Sequence, residues 1–221
     1  MSTTREDWDR SYADGRRYSP LRDAERTLLD LLGPPPDGGR ALDVGCGTGE
    51  LAAHLSSTGY AVDAVDWSET ALAEAGARYG ETARRLHLDV ESDDWTPPND
   101  GYGLITLRPV VPFLTSRDRT LRALGRRLRH GGALVVITPL AADTPAERRG
   151  VALDEDEIAA LRHGRSSTER HDADGLAFLV LRGPRQDDTA PRTTKARLSS
   201  PDDVGIPGKG CGGRSSTPSP G

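Results

Sequence analysis

The sequence is poor in cysteine. Cys46 and Cys211 are the only two in 221 residues, too few for a disulfide framework and in keeping with a reducing compartment. No apolar run approaches the roughly 20 residues needed to cross a bilayer, and Met1 to Asp7 lacks the apolar core of a signal peptide. A soluble cytoplasmic protein is expected. Positive charge is not in excess either. The formal net charge is −5, which removes a global electrostatic case for nucleic acid or an anionic membrane as partner. Arg126, Arg127 and Arg129 cluster locally, as on the solvated face of an amphipathic helix. Cysteine and histidine do not group at zinc-site spacing, so no metal is expected.

The length suggests one domain plus something small. Residues 1–19 are polar, punctuated by Trp8, Tyr12 and Tyr18. Ser19 and Pro20 read as the N-cap and first position of a helix with Leu21, Leu28, Leu31 and Leu32 on one face. Gly33 and Pro34 to Pro36 stop it. Strand candidates follow at 40–44, 61–65, 85–88, 104–107, 133–138 and 176–181. Helix candidates lie at 50–57, 68–79, 117–129 and 155–162. Ser116 is positioned to cap the third of these, and Leu121, Leu124 and Leu128 form its apolar stripe. Strands alternating with helices predict an α/β, doubly wound, mostly parallel sheet with helices on both faces. A further strand at 167–171 is joined to 176–181 by Asp172-Ala173-Asp174-Gly175, a hairpin turn. The stretch 90–101 is loop-like, so the third crossover helix is short or missing. Residues 1–33 are expected to form an N-terminal arm and helix, 34–183 the ligand-binding domain, and 184–221 a disordered tail with too little apolar content to offset its ordering.

The densest information lies in Ala41-Leu42-Asp43-Val44-Gly45-Cys46-Gly47-Thr48-Gly49-Glu50. A short apolar strand ends in an acid and enters a loop with glycine at every second position, and a helix follows. Glycine there lets the backbone approach a ligand closely. The dinucleotide fingerprint G-x-G-x-x-G needs a third glycine where this chain has Glu50, and a carboxylate is a poor neighbour for pyrophosphate. The loop therefore fits a ligand without one. It resembles motif I of the class I S-adenosyl-L-methionine (SAM)-dependent methyltransferases, and the resemblance extends over roughly residues 8–182. It implies a Rossmann-like seven-stranded sheet ending in an antiparallel hairpin, and SAM as cofactor.

Ligands of open α/β sheets bind at the carboxyl ends of the strands. The resemblance implies that Asp43, with Gly45, Cys46 and Gly47, lies beside the methionine moiety. Asp66, ending the second strand, would accept from the two ribose hydroxyls, an acceptor role a carboxylate fills; capping of the next helix is the alternative. Trp67 would lie along the adenine, Asp89 and Val90 would hold its edge, and Leu107 and Arg108 would border the methionine end. Asp63, inside the second strand, is costly to bury without a partner. Gly76 weakens its helix by about 1 kcal/mol.

The sulfonium already activates the methyl group, so the protein need only place a nucleophile in line and sometimes take its proton. No catalytic residue is legible. After the fourth strand, Arg108-Pro109-Val110-Val111-Pro112-Phe113 lacks the Asn/Asp-Pro-Pro-aromatic signature of methyltransferases acting on exocyclic or amide nitrogens, which disfavours a DNA base or glutamine as acceptor. His163 and Arg108 are the candidates for contact with substrate. Trp8-Asp9-Arg10-Ser11-Tyr12 resembles the arm of small methyltransferases, including tellurite-resistance-type enzymes, which folds over SAM; packing on the 20–32 helix is the alternative. Methyl transfer to an unidentified small-molecule acceptor is the expected function. A SAM-binding scaffold without catalysis is the alternative, and an NAD-dependent oxidoreductase is disfavoured by the loop.

Overall fold

The computed structural model describes residues 4–17, 20–32 and 39–183. Seven strands form one sheet: β1 (Arg40–Val44), β2 (Ala61–Asp66), β3 (Ala83–His87), β4 (Tyr102–Leu107), β5 (Leu128–Pro139), β6 (Ser167–Ala173) and β7 (Leu176–Arg182). Their order is β3-β2-β1-β4-β5-β7-β6. Pairings from β3 to β5 are parallel, and the last two are antiparallel. The connections reverse direction between β1 and β4, which opens a crevice at the carboxyl ends of those strands. Among the described residues six α-helices accompany the sheet: α1 (Arg5–Ala13), α2 (Asp23–Asp30), α3 (Glu50–Ser57), α4 (Glu69–Tyr79), α5 (Arg117–Gly125) and α6 (Glu155–Arg162).

The sheet is covered on both faces, as a parallel sheet must be. Leu42, Val44, Leu107 and Val136 pack on one side with Leu121 and Leu124 of α5 and Ile158 of α6. Ala41, Val62, Leu104 and Val135 pack on the other with Leu51 and Leu55 of α3 and Leu29 of α2. The hairpin closes through Asp174 and Gly175, at φ 53° and 74°. Two consecutive residues with positive φ make the tight turn whose twist matches antiparallel strands.

Several expectations shift. The segment before residue 19 is not merely polar. Thr4 accepts from the Asp7 amide (3.3 Å) and Asp7 from the Thr4 amide (3.0 Å), a reciprocal cap that starts α1. The second helix begins at Asp23, because the Glu25 carboxylate caps the Arg22 amide at 2.9 Å; Pro20 precedes it. Tyr18, Ser19, the Gly33 to Pro36 stop and the 184–221 tail fall outside the described residues. β3 starts two residues earlier than expected and ends one earlier. α5 stops at Gly125, and its Ser116 makes no side-chain cap. Leu128 belongs to β5 because the preceding Arg127 carbonyl is taken by the Tyr102 amide (2.8 Å), which draws the chain into the sheet. The 88–101 stretch holds no helix. α4 runs unbroken through Gly76, where an added Cβ would lie 3.2 Å from the Arg85 guanidinium.

Asp63 is partnered after all. Its carboxylate accepts from Tyr102 Oη (2.7 Å) and Arg40 Nη2 (3.1 and 3.2 Å). The cluster sits among the amino-terminal ends of β1, β3 and β4, at the edge of the sheet opposite the crevice.

Candidate functional site

The crevice is a cleft of about 1080 Å³ counted to its open mouth, the scale of small-molecule sites. Its floor is the loop between β1 and α3. Gly45 and Gly47 adopt φ of 64° and 52°, conformations that favour glycine. Space demands glycine as well. A Cβ on Gly45 would fall 2.5 Å from Val110 Cγ2, and one on Gly47 2.8 Å from Tyr12 Oη. The loop thus meets a neighbour from the segment after β4 and another from the N-terminal arm. Cys46 anchors it: its amide donates to the Val65 carbonyl (3.0 Å), and burial pushes its thiol above the ordinary range. A thiol so held is a packing group, not a nucleophile.

Three acids lie at or just beyond the ends of three strands around this loop. Asp66 is buried, and its two oxygens accept from the Gly47 amide and the Ser68 amide, both at 2.9 Å. It therefore pins the glycine loop to the start of α4 while lining the cleft. Burial raises its pKa against these hydrogen bonds. Asp89 holds its own turn through the Glu91 amide (2.8 Å) and Ser92 Oγ (2.9 Å). Asp43 is 1% exposed. Its Oδ1 accepts from Thr106 Oγ1 at 2.8 Å, but its Oδ2 is buried without a hydrogen-bond partner. Burial pushes its pKa up to about 7, against the opposing pull of the Thr106 hydroxyl and the Arg108 charge. A buried acceptor left unpaired costs roughly 1–3 kcal/mol.

Nine of the ten positions read from the sequence line the cleft: Asp43, Gly45, Cys46, Gly47, Asp66, Trp67, Asp89, Val90 and Arg108. Leu107 does not; it is fully buried in the sheet core. Arg108 lines the cleft and is also held in a side-chain pair. Its Nε donates to Glu25 Oε1 (2.5 Å) and its Nη2 to Glu25 Oε2 (3.0 Å) and the Pro20 carbonyl (3.0 Å). This two-pronged pair, with both side chains largely buried, ties α2 to the end of β4. His163 is misplaced by the sequence reading. It follows α6, just before β6, whose first residue Ser167 is in register with Arg182 and, through it, with Ala133 near the amino-terminal side of β5. That is the edge of the sheet away from the cleft.

The arm read at Trp8 to Tyr12 supplies much of the roof; its anchors were not legible in the sequence. α1 lies over the cleft, with Trp8 and Tyr12 lining it. Asp9 accepts from Ser68 Oγ (2.6 Å) and the Thr70 amide (3.3 Å), and Arg5 Nε donates to the Trp67 carbonyl (2.8 Å). Arg17 adds a bond to Glu74 of α4 at 2.9 Å. The arm therefore packs on the end of β2 and on α4. Trp8 meets Phe113 edge-on with centroids 5.1 Å apart, so the roof spans from the arm to the turn after β4. Glu50 accepts from the Leu21 amide and Arg26 Nη2, both at 2.8 Å. The residue that spoils a pyrophosphate site thus fastens the segment before α2.

Comparison with known proteins agrees with this architecture. The sequence profile of the "Methyltransferase domain" family matches residues 13–178. The chain is 33% identical over 111 residues to an uncharacterized methyltransferase, Rv0089, of Mycobacterium tuberculosis H37Rv, covering 50% of this chain and 54% of that one. It spans about half the length of the curated relatives it matches. Among solved structures, N-methyltransferase NodS of Bradyrhizobium japonicum WM9 in complex with S-adenosyl-L-homocysteine (SAH) superposes with a TM-score of 0.57 at 20% identity, covering 75% of this chain and 89% of that one. TehB of Haemophilus influenzae gives 0.57 at 16% identity, covering 79% and 66%. With a profile match over most of its length and a sheet of this order, the chain belongs to the methyltransferase-domain family.

Proposed function

We propose that this protein is a SAM-dependent methyltransferase acting on a small-molecule acceptor. The observation that carries the reading is the acid-and-glycine loop at the floor of the cleft, where Asp43, Gly45, Cys46 and Gly47 all line it. It suits a ligand that brings a cationic donor to that point, as the amino group of a methionine moiety does. The other groups fit the same ligand. Gly45, Cys46 and Gly47 leave room for close backbone approach, Asp66 would take the ribose hydroxyls with its remaining lone pairs, and Trp67, Asp89 and Val90 would hold the adenine. When bound, SAM supplies an electrophilic methyl group on a sulfonium. The chain's part is to orient and to exclude water: Trp8, Tyr12 and Phe113 roof the cleft, and Arg108 fixes the wall where the acceptor would enter. Calorimetric titration tests the reading. SAH should bind and NAD should not; NAD binding without SAH binding would overturn it. Conversion of SAM to SAH with a panel of small acceptors separates catalysis from binding alone.

The Asp66→Ala variant should bind SAH roughly tenfold to a hundredfold more weakly, as the loss of about 1.5–3 kcal/mol of charged hydrogen bonding implies. It should still fold, with a melting temperature lowered by several degrees because the Gly47 and Ser68 amides lose their acceptor. Unchanged SAH affinity would reduce Asp66 to a brace for the loop.

Deleting residues 1–18 should weaken SAH binding by about tenfold, since two aromatic rings leave the roof and each buried ring contact is worth roughly 0.5–1.5 kcal/mol. The sheet should remain folded by circular dichroism. Hydrogen exchange should slow in α1 when SAH is added; equal protection with and without it would make α1 a fixed structural element.

A further inference from the structure

One imidazole nitrogen beside the cleft stands between two neighbours of opposite hydrogen-bonding character. His87 ends β3, the edge strand of the sheet. Its Nε2 lies 2.5 Å from Arg5 Nη2 and 3.1 Å from the Trp67 carbonyl oxygen. A guanidinium only donates and a carbonyl only accepts. Nε2 can serve the first with a lone pair or the second with a proton, never both. The guanidinium is the nearer, and Arg5 Nε already donates to the same Trp67 carbonyl at 2.8 Å. Nε2 is therefore the acceptor. The ring is neutral, with its proton on Nδ1, which faces Glu69 Oε1 at 3.8 Å.

The charges around the ring pull in both directions. Arg5 of α1 opposes a positive ring, while Asp9 of α1 and Glu69 of α4 favour one. Glu69 is exposed, so water screens its pull. The Asp66 carboxylate, on the β2 residue in register with His87, is turned to the Gly47 and Ser68 amides. On β3 itself Arg85 is paired with Glu81. Arg5 alone touches Nε2 from the arm, and it cannot face an N–H there.

Histidine is the side chain whose charge ordinarily changes between pH 5 and 8. We propose that His87 is a pH-operated latch on the N-terminal arm. Neutral, it holds Arg5 and with it the first turn of α1. Protonated, it donates from Nε2 to the Trp67 carbonyl, and the guanidinium swings away. Trp8 lies one turn beyond Arg5 and roofs the cleft, and Trp67 lines it, so the latch acts on the cover of the site. Asp9 and Arg17 keep the rest of the arm on α4 in either state. The latched arm carries one proton fewer than the released one, so latching strengthens as pH rises. Its effect on cofactor access rests on the assignment of the cleft to SAM; the latch itself does not.

The test uses the full chain without ligand. Long-range proton–nitrogen NMR should show His87 as the Nδ1–H tautomer at pH 8, with Nε2 gaining a proton on acidification. An Nε2–H tautomer at pH 8 would overturn the proposal. Hydrogen exchange, corrected for the intrinsic effect of pH, should protect the first two turns of α1 severalfold to tenfold more at pH 7.5 than at 5.5. His87→Gln can accept from Arg5 and cannot be charged, so it should hold the higher protection at both pH values. Arg5→Ala should show the lower protection at both. No pH dependence in the parent protein, or an unchanged one in His87→Gln, would overturn the latch. Burial of Asp43 cannot imitate it, because that group loosens the fold as pH rises, the opposite direction. If these signatures appear but SAH does not bind, the latch stands and the cofactor assignment falls.

Discussion

The Glu25→Ala variant should melt about 10 °C below the parent protein. Glu25 and Arg108 are both largely buried and joined at two points, 2.5 and 3.0 Å. Removing one partner of such a pair leaves a charge with no compensation away from water, and costs about 3–5 kcal/mol. For a domain of this size each kcal/mol shifts the melting point by about 2–4 °C. The reverse truncation, Arg108→Ala, should be similarly harmful. The Glu25→Leu/Arg108→Met double variant should recover much of the loss, because an apolar pair of similar bulk has nothing to desolvate. Thermal unfolding of the three variants checks this. A shift below 2 °C in Glu25→Ala would mean that water reaches the pair and screens it.

The second large effect concerns pH. Asp43 titrates near 7 in the folded chain because burial opposes its charge, against an ordinary 3.8. The sign follows from proton counting. Between pH 4 and 7 the folded state holds a proton that the unfolded chain has released, so stability falls as pH rises through this window. Below pH 4 both states are protonated and the penalty vanishes. Above 7 it reaches its full size, on the order of 4 kcal/mol for a carboxyl moved that far. Asp43→Asn keeps the Thr106 contact and removes the charge. Urea unfolding at pH 5 and pH 8 should therefore show a fall with pH in the parent and little change in the variant. Binding should carry the opposite slope. A cationic amino group brought beside Asp43 favours its ionised form, so SAH should bind more tightly at pH 7.5 than at 5.5 and release protons on binding. Calorimetry in buffers of different ionisation enthalpy measures that release. Equal pH slopes of stability in parent and Asn variant would show that Asp43 is ionised throughout.

These two residues also mark what could be read from the sequence. Asp43 was legible because strand ends and glycine loops have local signatures: an apolar run, an acid, alternate glycines. The same locality exposed Asp66, Asp89 and the hairpin at Asp174-Gly175. Glu25 was not legible. Its partner lies 83 residues away, and nothing in Asp23-Ala24-Glu25-Arg26 distinguishes a buried glutamate from an exposed one. Arg108 was placed at the right strand end, while its pairing with Glu25 stayed hidden for the same reason. Leu128 kept helical spacing with Leu121 and Leu124, yet tertiary pairing with β4 overrode it. The start of α1 could have been found, since Thr4 and Asp7 stand at capping-box spacing, although the usual signature has glutamate or glutamine at the third position.

The aromatic roof has a practical side. The chain contains three tryptophans. Trp8 and Trp67 line the cleft, while Trp95 lies under the Arg127 guanidinium, 3.8 Å from its ring centroid, beside the start of β4 and away from the cleft. Two emitters therefore look into the space a ligand would fill, and the third is shielded from it. The protein carries a built-in optical gauge: quenching or a spectral shift on titration arises from the Trp8 and Trp67 pair, with Trp95 as a steady internal reference.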